Sequence, residues 1–153
     1  MKKQKGFSLI ELLIVVAIIL IIAAIAIPNL IKSKMAANEA SAVGSVRTIN
    51  TSQVAFASAC PDQGFTGTLA DFATGAATCP GASGLLDSQL VTGTKSGYSF
   101  ALASAGATPR TAYTVNGDPN NATSGTRHFF SDESGVIRYA TGGAAVVGSP
   151  ALQ

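Results

Sequence analysis

A chain of 153 residues can hold one ordinary globular domain with an additional element, and is too short for two domains with separate cores. Its formal charge of +2 comes from Lys2, Lys3 and Lys5; without them seven basic side chains face eight acidic ones. That leaves no basic face of the kind that neutralises phosphates, so nucleic-acid binding by the monomer is not expected.

Residues 7–27 read FSLIELLIVVAIILIIAAIAI, an apolar run in which Glu11 is the one charge. As a helix at 1.5 Å per residue this stretch is about 31 Å long, the hydrocarbon thickness of a bilayer. Three lysines precede it and no comparable cluster follows at once, so the positive-inside rule places its start in the cytoplasm and exports the remainder. A cleaved secretory signal is the competing reading, since Ala24-Ile25-Ala26 offers a small-x-small site. Glu11 argues against it: a carboxylate in a membrane helix costs up to about 2.5 to 3.5 kcal/mol, and a disposable signal has no use for it.

Lys5-Gly6 followed by Phe7-Ser8-Leu9-Ile10-Glu11-Leu12-Leu13 resembles the prepilin motif of type IV pilins and type II secretion pseudopilins. The resemblance covers the leader and first helix closely and the remainder only in general architecture. It implies that a membrane-embedded prepilin peptidase cuts between Gly6 and Phe7 on the cytoplasmic side and N-methylates Phe7. It further implies an inner-membrane, single-pass precursor that an assembly platform packs into an extracellular or periplasmic homo-oligomeric filament. In a core built from such helices, Glu11 would be unpaired within its own subunit. The resemblance supplies its partner, the Phe7 amine of a neighbour, which makes Glu11 a device for register and recruitment.

Beyond Pro28, where a kink is expected, Ala36, Ala40, Val43, Val46 and Ile49 recur at spacings of three and four and predict an amphipathic helix with that face buried. The expected division is a leader 1–6, a long helix 7–58 and a globular part 59–153. From residue 59 to 94 no period is evident; Leu69, Phe72, Leu85, Leu86 and Leu90 are candidates to pin a long loop to the core. Cys60 and Cys79 would tie that loop, in an exported domain, with about 3 kcal/mol of stabilisation from the chain-entropy model.

Strands are predicted over 98–103, 112–116 and 127–139, the last broken at Ser131-Asp132-Glu133-Ser134-Gly135, which has turn chemistry. The result is a four-stranded antiparallel meander lying on the amphipathic helix, an α+β pilin roll, with a Gly- and Ala-rich tail loosely ordered from residue 140.

No catalytic set emerges, so no enzyme activity and no cofactor are expected. His128, the sole histidine, sits in a predicted strand as an exposed or satisfied residue. Asp132 and Glu133 are weak calcium candidates, two acids being too few for a shell of six to eight oxygens. Asn50 and Asn121 begin sequons. The functional expectation is a structural subunit of a type IV pilus-like filament serving adhesion, motility or DNA uptake. Alternatives are a type II secretion pseudopilin and an exported binding protein anchored by an uncleaved helix.

Overall fold

The structure is a computed structural model and describes residues 7–74 and 79–152, with only the backbone of Thr74. Gly6 and the three leading lysines lie outside the described residues. The chain divides into two compact units, Met1–Lys34 and Met35–Gln153. Helix α1, Leu9–Ala59, contributes to both and continues through Pro28.

In the second unit α1 buries Ala42, Ser45, Val46, Ile49, Ser52, Gln53 and Phe56, a stripe recurring at three and four residues. Val46 and Ile49 belong to it as expected, and Val43 is half-buried at its edge. Ala36 and Ala40 do not belong to it, and are exposed. The apolar period alone misplaces the stripe because three buried positions are polar: Ser45, Ser52 and Gln53. Ser52 donates to the Leu85 carbonyl at 2.9 Å, and Gln53 bonds the backbone of Thr66. Side chains satisfied from distant parts of the chain can be buried without an apolar signature.

The expected long loop contains three short helical pieces: α2 at Asp71–Thr74, a 3₁₀ turn at Pro80–Ala82, and α3 at Ser88–Val91. Asp87 caps α3, its carboxylate accepting from the backbone N–H groups of Gln89 and Leu90 at 3.1 and 3.0 Å. Leu69, Phe72, Leu86 and Leu90 are buried, and Leu85 packs against the cluster from its edge. Cys60 and Cys79 form a disulfide with their Cα atoms 5.9 Å apart.

The sheet is an antiparallel meander of β1 Thr94–Lys95, β2 Tyr98–Ala105, β3 Ala112–Pro119, β4 Arg127–Asp132 and β5 Arg138–Thr141. It has five strands where the sequence predicts four. The additional β1 is two residues long and pairs with β2 across Ser96-Gly97, both at positive φ, 51° and 77°. A two-residue loop with both residues in that region matches the twist of a hairpin, so even a very short strand is retained. The broken segment 127–139 resolves into β4 and β5 around a turn in which Gly135 donates to the Asp132 carbonyl at 2.9 Å.

Register places Phe100, Leu102, Val115, Gly117, Phe129 and Tyr139 on one face, which joins the core with Val46 and Ile49. Gly117 permits this close approach: a Cβ there would lie 3.1 Å from the Phe100 ring and 3.6 Å from Val46. The tail is not loose. Leu152 donates to the Ile137 carbonyl at 2.7 Å, Tyr139 donates to the Pro150 carbonyl at 3.0 Å, and Arg138 donates to the Ser149 carbonyl. Composition hides this because backbone pairing needs no particular side chains.

Candidate assembly helix

Residues 7–34 form the candidate site. The segment contains a helical stretch long and apolar enough to cross a membrane, with a mean hydropathy of 3.3 over 18 residues and none of that window buried. Phe7 is 89% exposed, and from Leu9 to Ile31 every Leu and Ile side chain is exposed. A monomer in water rarely shows a contiguous apolar surface beyond a few hundred Å², so this face is built to be covered.

At its start Glu11 has a partner within its own chain. Its carboxylate accepts from the backbone N–H of Ser8 at 2.9 Å, while Leu12 donates to the Ser8 carbonyl at 3.3 Å. Ser8-x-x-Glu11 is half of a capping box, in which the third helical residue reaches back to the capping residue's N–H. The negative charge also faces the positive end of the helix dipole. The bond is one to a backbone N–H, which the S-x-x-E spacing makes readable, and it brings no opposite charge to the carboxylate.

Residues 1–27 match the family described as the prokaryotic N-terminal methylation motif. The N-terminus carries that motif. The chain is 48% identical over 54 residues, 35% of its length, to the type IV major pilin protein PilA of Myxococcus xanthus, and spans 24% of that protein. It is 59% identical over 39 residues, 26% of its length, to the type IV wide pilus major component PilA4 of Thermus thermophilus, and spans 30% of that one. The chain therefore spans less than a third of either relative's length. No solved structure matches it. The long helix packed on an antiparallel sheet is the pilin α+β fold reached from the chain's own geometry.

The other sequence candidates belong to the second unit, Met35–Gln153. Asp132 caps the β4–β5 turn, accepting from the Ser134 N–H at 3.0 Å and from the Ser134 hydroxyl. Among the described residues no group of three His, Cys, Asp or Glu side chains gathers as a metal site, with Asp132 and Glu133 included. Those two carboxylates, after burial as the main cause, help push the Tyr113 hydroxyl up to about 12. His128 Nδ1 lies 2.6 Å from Asp118 across β3 and β4, a satisfied strand residue. Asn50 is half-buried and engaged, donating to the Ser131 hydroxyl at 2.8 Å and accepting from the Tyr113 hydroxyl at 3.2 Å. Asn121 accepts from the Thr123 N–H at 3.1 Å in an exposed turn.

Sequence reasoning passes over Glu39. One of its oxygens accepts from the Thr126 N–H at 2.9 Å, the Thr126 hydroxyl at 3.1 Å and the Arg127 N–H at 3.3 Å. The other lies 3.5 Å from Arg127 Nε. No local pattern announces a partner 87 residues away.

Proposed function

We propose that this chain is a structural subunit of a type IV pilus-like filament, cut between Gly6 and Phe7, methylated at Phe7, and assembled through residues 7–34. The observation that carries the reading is the uncovered apolar helix headed by one carboxylate within the methylation motif. The helix has two successive apolar surroundings, a bilayer in the precursor and neighbouring helices in the filament. The leading lysines support an N-terminus in the cytoplasm, with the inner membrane, the prepilin peptidase and an assembly platform as partners. The two relatives are named as major pilus components, which favours a major subunit here.

Glu11 acts twice. Within the subunit it holds the first turn; between subunits it attracts the Phe7 amine of a neighbour. Opposite charges 4 Å apart attract by about 4 kcal/mol at an effective dielectric of 20, enough to select axial register. Desolvation offsets much of that gain, so the pair discriminates between registers more than it stabilises.

Two substitutions separate the roles. Glu11→Val removes cap and charge, whereas Glu11→Gln keeps a capping acceptor and removes only the charge. Filaments counted by electron microscopy are expected to be depleted in both. Normal numbers and lengths with Glu11→Gln would reduce Glu11 to a cap and overturn its register role.

A further inference from the structure

The chain has one Asp-Pro bond, between Asp118 and Pro119 at the end of β3. Such a bond is the weakest link of a polypeptide backbone for two reasons. An aspartyl carboxylate can close a five-membered ring on its own main-chain carbonyl carbon, acting at the high effective concentration of an intramolecular nucleophile. The leaving group is a tertiary amide nitrogen, more basic than that of other peptide bonds and without a hydrogen to tie it into the sheet.

The fold adds a third element, a proton donor. β3 and β4 keep one register from Thr114↔Asp132 to Gly117↔Phe129, and its next step sets Asp118 opposite His128, on the face turned away from Val115 and Phe129. His128 Nδ1 lies 2.6 Å from one carboxylate oxygen of Asp118, and the other oxygen has no hydrogen bond among the described residues. Ser99 and Ala140, the register partners of the pair on β2 and β5, carry no charge. The Asp118 side chain is 46% exposed and that of His128 25%, and His128 lines a cavity of about 420 Å³ together with Pro119, so water reaches the bond.

We propose that the bond between Asp118 and Pro119 is a self-cleavage site of the folded chain, with His128 as its proton donor. The free carboxylate oxygen of Asp118 bonds to the Asp118 carbonyl carbon and the C–N bond to Pro119 breaks. The proline nitrogen takes a proton from the His128 imidazolium, directly or through a water in the shared cavity. Water then opens the cyclic anhydride: its oxygen ends in one of two carboxylates on Asp118, and its two protons go to His128 and to the new proline amine.

Each chain undergoes this step once, on itself, so it stands beside a structural role and is independent of the filament reading. The result is a nick, not a loss of the domain. Beyond the cut, β4 stays paired with β3, Glu39 still holds Thr126 and Arg127, and Asn50 still holds Ser131. What changes is the connection between β3 and β4, which gains a free end carrying a secondary amine at Pro119.

The test is incubation of the detergent-solubilised full chain at about pH 5.5, where histidine can serve as an acid, with fragments followed by denaturing gel and mass spectrometry. A fragment beginning at Pro119 is expected. It should form at least roughly tenfold faster in the folded chain than in the same chain unfolded in urea, since a positioned general acid contributes about 10²- to 10⁴-fold. The urea arm gives the rate of an unassisted Asp-Pro bond. His128→Gln keeps an N–H donor for Asp118 but cannot give up a proton, and should fall to the urea rate with its thermal unfolding unchanged. Pro119→Ala, which restores an ordinary amide, should leave the chain whole. An intact wild-type chain, a folded rate no greater than the urea rate, or folded His128→Gln cleaving as fast as the wild type would overturn the proposal.

Discussion

Gln53 and Thr66 bond as if they were two strand residues: the Gln53 side chain donates to the Thr66 carbonyl at 2.7 Å and accepts from the Thr66 N–H at 3.0 Å. Both residues are almost completely buried. The amide thus satisfies a loop backbone that has left the helix and not yet reached the sheet. Gln53→Leu keeps the volume and strands both Thr66 groups, each at about 1 to 3 kcal/mol. A loss of about 2 to 4 kcal/mol is expected in urea unfolding followed by circular dichroism; an unchanged midpoint would contradict the assignment.

Glu39 anchors α1 to the start of β4 through two backbone N–H groups. Glu39→Ala should cost about 2 to 3 kcal/mol, because hydrogen bonds to a charged acceptor contribute about 1.5 to 3 each and the site is partly solvated. Glu39→Gln retains one acceptor oxygen and should cost less. Equal losses for the two variants in the same urea titration would mean that packing, not the acceptor, matters.

The disulfide closes a loop that carries α2, and the 3₁₀ turn follows Cys79 directly. Replacing Cys60 and Cys79 together by Ala should lower stability by about 3 kcal/mol, the chain-entropy value for a loop of this length. The loop should also become the first site cut in limited proteolysis. A doubly substituted chain as stable and as resistant as the wild type would show the disulfide to be dispensable.

Asp87 combines a helix cap with a bond to Lys95 at 2.9 Å, and that lysine, followed by the Leu90 N–H, holds its carboxyl below the ordinary 3.8. A depressed folded-state pKa means that the stabilisation is present above 3.8 and lost as pH falls through the lowered value. Asp87→Ala should cost about 1 kcal/mol at neutral pH, mostly from the cap, since an ion pair this exposed contributes little. The difference from wild type should shrink on acidification below about pH 4. A gap that persists unchanged to the lowest accessible pH would argue against a carboxylate cap.

The most legible parts of the fold are those whose physics is one-dimensional. Residues 7–27 announce themselves by uninterrupted apolarity, and β2 and β3 by alternation, with Phe100 and Leu102 facing inward and Ser99 and Ala101 outward. The less legible parts depend on partners far along the chain. Ser52 and Gln53 look like surface positions until Leu85 and Thr66 meet them, and the tail gains order from backbone bonds at Ile137 and Tyr139. At the N-terminus the motif is readable, but the charge of Glu11 draws attention from its bond to Ser8.

The central claim is that the apolar helix is retained after cleavage and becomes an assembly surface. The mass of the mature chain, with sequencing of its first peptide, tests this most directly. A chain beginning at a methylated Phe7 is the expected result. A chain that begins near Ile27, as from a secretory signal, or that keeps Met1, as a plain membrane anchor would, contradicts the claim.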